Sequence, residues 1–139
     1  MPRPPAADRH SLLMRAVGVW VILIAVEFVH GVLRAVFLVP VVGDSRARQI
    51  GVFTGSVLIL CVAYLLVGWL RAENTKSLII VGALWLVVTV VFEFGFGHFV
   101  FGRSWQDLGS DYNIAHGGFL AIGMLVLAFS PVIGARLRR

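Results

Sequence analysis

Four long apolar runs, separated only by short polar stretches, constrain this chain more than any other feature of its 139 residues. They cover about residues 14–39, 50–70, 78–101 and 114–133. Each approaches the roughly 20 residues a helix needs to cross a hydrocarbon core of about 30 Å. Lipid offers no hydrogen bonds to an open backbone, so a spanning run must be a helix or part of a closed barrel. A barrel would show short segments of alternating polarity, and these runs do not alternate. Composition agrees, with 59 % hydrophobic and only 14 % charged residues. So small a body cannot hide that much apolar surface inside itself. The expected fold is an all-α membrane protein, an up-down bundle of four transmembrane helices forming one domain over residues 14–133. Residues 1–13, with Pro2, Pro4 and Pro5, are expected to form a disordered tail, and residues 134–139 a basic tail. The first run is too long for the core of a signal peptide and reads as a retained helix.

The basic residues orient the bundle. Arg3, Arg9 and Arg15 precede the first run, Arg71 and Lys76 lie between the second and third, and Arg136, Arg138 and Arg139 end the chain. Arg46, Arg48 and Arg103 lie on the other side. Eight against three places both termini in the cytoplasm by the positive-inside rule, the pattern of a bacterial inner (cytoplasmic) membrane protein. The net charge of +5 is thus assigned to lipid headgroups and topology. No basic groove with interleaved aromatics argues for nucleic acid. Cys61 is the single cysteine, so neither an internal disulfide nor a cysteine metal cage is available.

Ionisable residues inside spanning helices are expensive and default to function. The first run carries Glu27, His30 and Arg34. At about 100° per residue they share a stripe roughly 60° wide, with Trp20 extending it. The third run carries Glu93, with Thr89 one turn before it and Gly97 one turn after. His98 joins that face only if Gly95 and Gly97 distort the helix. His116 falls one turn inside the fourth run. With the termini inside, this whole set falls in the outer half of the membrane, and the inner half is apolar. Glu27, His30, Arg34, Thr89 and Glu93 are therefore the candidate ligand or proton site.

Two other uses of these residues stand beside that one. Glu27, His30, Glu93, His98 and His116 make a candidate donor set for a divalent metal, with haem as the other cofactor option, which would make the chain a metal- or haem-dependent membrane enzyme. Glu-x-x-His is half of a di-iron motif, but the third run offers only Glu-x-x-x-x-His. A structural reading makes the cluster an ion-pair network that holds the bundle together. Nucleophile and phosphate-loop motifs are absent. Gly51 and Gly55 form a Gly-x-x-x-Gly packing motif for a neighbouring helix, a second copy or a partner subunit. In the third loop, Arg103 and Asp107 are spaced to pair on a short interfacial helix, and Asp111 and Asn113 are placed to cap the fourth.

Overall fold

A computed structural model describes residues 5–72 and 74–138, and the side chains of all of these except 5–9 and 116. Every regular element is helical, with no strand among the described residues. Four stretches are long and apolar enough to cross a membrane: His10–Val42, Asp44–Leu70, Thr75–Phe99 and Leu120–Leu137.

The first stretch is built from α1 (Pro5–Leu33), one π-helical turn (Arg34–Leu38) and α2 (Val39–Val42). The π turn has a local cause. Pro40 has no N–H for the carbonyl of Val36, and its ring crowds that carbonyl. The chain widens by one residue instead, and the Val39 N–H donates to the Arg34 carbonyl. Gly43, at φ 88°, then breaks the helix and α3 (Asp44–Leu70) follows at once. Asp44 and Arg48 pair across its first turn at 3.1 Å. Asn74 caps α4 (Thr75–Phe99), accepting the Ser77 N–H at 2.8 Å.

Helix boundaries move outward from the apolar runs, furthest at the starts of α1 and α3. α1 begins at Pro5 rather than near residue 14, because Leu12 and Ala16 are buried in the core and carry the helix back. α3 begins six residues before Ile50. The last helix moves the other way. α6 (Leu120–Leu137) starts late, after a 3-10 turn at Ile114–His116. Asp111 and Asn113 therefore do not cap it with their side chains. Gly117, at φ 83°, ends the turn, and Gly118 lies so close to the Ser110 and Asp111 carbonyls that no Cβ fits.

α3 packs most extensively on α6, α6 also packs on α4, and α1 bridges α3 and α4. The buried face of α3 runs Ala47, Gly51, Gly55, Ile59, Ala63 and Val67, a residue every four. Such a row of small side chains lets backbones approach. A Cβ on Gly134 of α6 would lie 3.0 Å from the Ala63 carbonyl carbon, and one on Gly82 of α4 would overlap the Ala128 carbonyl. α1 and α4 meet through two indole bonds of equal register: Trp85 Nε1 donates to the Ala16 carbonyl and Trp20 Nε1 to Thr89 Oγ1, both at 2.8 Å. The core (Val19, Leu23, Leu70, Val81, Trp85 and Leu127) lies toward the Ala16 end. Outward-facing Phe28, Val87, Val91 and Leu125 are exposed, as lipid contact requires.

Candidate functional site

Above the Trp20–Thr89 bond the helices part. No residue of the first stretch beyond Leu23 is buried, and α4 buries none between Thr89 and Gly97. Into this opening α1 projects its polar stripe, and α3 receives it on its two glycines. A Cβ on Gly55 would lie 2.9 Å from Glu27 Oε2 and 3.4 Å from His30 Cε1. A Cβ on Gly51 would lie 3.0 Å from Arg34 Cδ. The Gly-x-x-x-Gly motif thus seats polar side chains of its own chain.

His30 is held from both sides. Its Nε2 lies 2.7 Å from Thr54 Oγ1. The Thr54 hydroxyl has one proton, and its own helix offers the Ile50 and Gly51 carbonyls, each at 3.3 Å, to take it. The hydroxyl then accepts from Nε2–H, an assignment made from the network. Nδ1 of the neutral ring is left as an acceptor facing Glu27 Oε2 at 3.6 Å. That geometry is compatible with one shared proton: a carboxyl facing neutral imidazole, or a carboxylate facing imidazolium. Glu27 Oε1 is buried with no hydrogen-bond partner.

Glu93 is exposed at the edge of the opening. The sparse packing of α1 on α4 above Thr89 is the reason. Its carboxylate is within electrostatic range of Glu27, Arg34, Arg103 and Asp111. Arg34 forms no ion pair among the described residues. Thr89 is buried and bonded to Trp20, so it closes the floor of the opening rather than lining it as a free hydroxyl.

The loop after α4 forms the roof. α5 (Trp105–Ser110) is capped by Ser104, which accepts the Asp107 N–H at 3.1 Å. Leu108 docks against Gly97, where a side chain would meet its Cδ atoms. The expected Arg103–Asp107 pair is present, with Nε donating at 2.9 Å. Arg103 also grips Asp111 through both terminal nitrogens, at 2.9 and 3.3 Å. Arg48 of α3 reaches the same carboxylate at 3.1 Å, and Gln49 donates to the Gly117 carbonyl at 3.1 Å. These bonds hold Asp107 below the ordinary carboxylate range and push Arg103 up. Tyr112 stacks on Phe94 at 5.6 Å and buries its hydroxyl without a partner. Burial pushes that phenol up to about 12, with the Glu93 and Asp111 charges adding to it.

His98 belongs to the roof and not to the polar stripe. α4 stays helical through Gly95 and Gly97, so His98 points away from Glu93. Its ring stacks on Trp105 at 3.9 Å, and Nδ1–H donates to the Arg103 carbonyl at 2.8 Å. The side chain of His116 lies outside the described residues. The five-residue donor set is therefore not brought together, and no three metal-binding side chains converge among the described residues. What the sequence reading missed is the contribution of Thr54, Asp111 and Tyr112. Thr54 sits between the two motif glycines and carried a usable signal; the loop residues carried none, because their approach depends on the fold of residues 103–118. No family model, curated protein or solved structure matches this chain.

Proposed function

We propose that this chain is a small integral inner-membrane protein, an up-down bundle with both termini in the cytoplasm, that binds a ligand or relays protons at an outward-facing polar cleft. Glu27 and His30 are the proton-exchanging pair, Arg34 and Glu93 set the charge of the cleft, and Trp20–Thr89 close it from below. One observation carries this reading. Glu27 Oε1 is buried without a partner while Oε2 faces His30 Nδ1 at 3.6 Å. A carboxylate oxygen left bare in low dielectric is costly, and a bound proton or ligand group relieves it. The unpartnered Tyr112 hydroxyl, acted on by Glu93, marks the far side of the same opening.

Infrared titration of the protein in lipid tests the pair directly. The protonated-carboxyl band should lose intensity in Glu27→Gln and shift in His30→Ala. Spectra unchanged by both substitutions would sink the proposal. Reporter fusions at the two termini test the orientation, and an active periplasmic reporter at either end would refute it.

A further inference from the structure

The opposite end of the bundle holds a second polar feature, independent of the cleft. A cavity of about 290 Å³ opens where α3 ends, α4 begins and α6 ends. Val67, Leu78 and Ala135 form its apolar floor, and Arg71, Asn74 and Arg138 stand at its rim. We propose that this cavity is a binding site for the phosphate of an anionic glycerophospholipid, with Arg71 and Arg138 as its cationic ligands.

The fold sets the Arg138 guanidinium in place, and it places the Arg71 backbone at the mouth of the cavity. Arg138 Nη1 donates to the Tyr64 and Leu65 carbonyls at 3.0 and 3.2 Å, and its guanidinium lies 5.6 Å from the Tyr64 ring centroid. Gly68 makes room for it, since a Cβ there would lie 3.4 Å from Nη1. Those bonds use one nitrogen and leave Nε and Nη2 to a ligand. Arg71 occupies the left-handed position that ends α3, at φ 55°. Glycine is the usual residue there, and this is the one described non-glycine residue with positive φ. Arg71 nonetheless fills that position and lines the cavity with an exposed cationic side chain. Neither arginine forms an ion pair among the described residues.

The surroundings select a lipid over a free anion. The floor is apolar, and exposed Leu65, whose carbonyl Arg138 bonds, lies on α3 beside it, where an acyl chain would run. Basic pockets between helix ends at a membrane surface suit anionic headgroups, at about 1 kcal/mol per Lys or Arg.

The test uses the full chain purified in neutral detergent and exchanged with phosphatidylglycerol, phosphatidylcholine or inorganic phosphate, with bound lipid counted by native mass spectrometry. Phosphatidylglycerol should be retained over phosphatidylcholine. Arg71→Gln and Arg138→Gln should each weaken that preference by roughly fivefold, and Arg46→Ala, at the other end of α3, should leave it intact. An equal loss in Arg46→Ala would overturn the site in favour of diffuse charge. Competition by millimolar inorganic phosphate as effective as the lipid would overturn the lipid assignment. If Arg138→Gln fails to fold, Arg71→Gln alone decides.

Discussion

Gly82→Ala tests whether the α4–α6 contact is as close as the structure places it. The added Cβ would overlap the Ala128 carbonyl oxygen and lie 2.9 Å from its carbon. Carbon atoms settle at about 3.5–4.0 Å, so the carbon contact alone parts the two backbones by about 0.6 Å, and the closer oxygen contact parts them further. A gap of roughly 0.5–1 Å forfeits a quarter to a half of each dispersion contact across it. Val81 and Trp85 on α4 and Leu127 on α6 are the buried side chains beside the contact, at 0 %, 0 % and 4 % exposure. Overpacking a tight interior costs about 1–3 kcal/mol, and this site belongs at the upper end because backbone cannot rotate out of the way. Alanine recovers about 1 kcal/mol of helix propensity over glycine, which leaves a net loss of about 2 kcal/mol. Denaturant unfolding in micelles, followed by tryptophan emission, reads the change. An unaltered or raised midpoint would mean that propensity wins and that the two helices do not touch there.

Gly55→Ala should behave differently, because the atom it meets, Glu27 Oε2 at 2.9 Å, ends a flexible side chain. Its unfolding midpoint should stay close to wild type while the Glu27 carboxyl band moves, and a loss as large as that of Gly82→Ala would contradict the assignment. Trp85→Phe removes the bond from Nε1 to the Ala16 carbonyl in the core, and should cost about 1–3 kcal/mol in the same unfolding assay. Phenolate absorbance should show one tyrosine ionising near 12, absent in Tyr112→Phe. Because that folded value stands above the ordinary 10.0, stability is whole below pH 10 and falls as pH rises toward 12. Asp107 has the opposite sign. Its lowered value means that its contribution is present above 3.8 and disappears as pH falls below it, so loop 103–118 should exchange amide hydrogens faster in acid.

The roof of the cleft shows where sequence reasoning runs out. Arg103 with Asp107 is a local pair, four residues apart, and helical spacing alone reveals it. Arg48 with Asp111 spans 63 residues, and nothing local in either segment announces it. The same division separates Trp20, whose place on the Glu27 stripe follows from helical period, from its bond to Thr89 across 69 residues. The place of His98 turned on a related contact. Whether Gly95 and Gly97 bend a helix depends on what packs there, and Leu108 filling the space beside Gly97 lets α4 run straight.

The sequence by itself determined that the chain forms four apolar helices, and that Glu27, His30 and Arg34 lie on one face of the first. Both follow from local physics: backbone bonding in lipid and a period of 3.6 residues. The tertiary structure decided which helix receives that face, that Gly51 and Gly55 seat it, that Thr54 orients His30, and that Glu93 stands exposed at its edge. Those outcomes depend on the distance between helix axes. Close backbone approach at pairs such as Gly82–Ala128 and Gly134–Ala63 sets that distance, and no single segment encodes it.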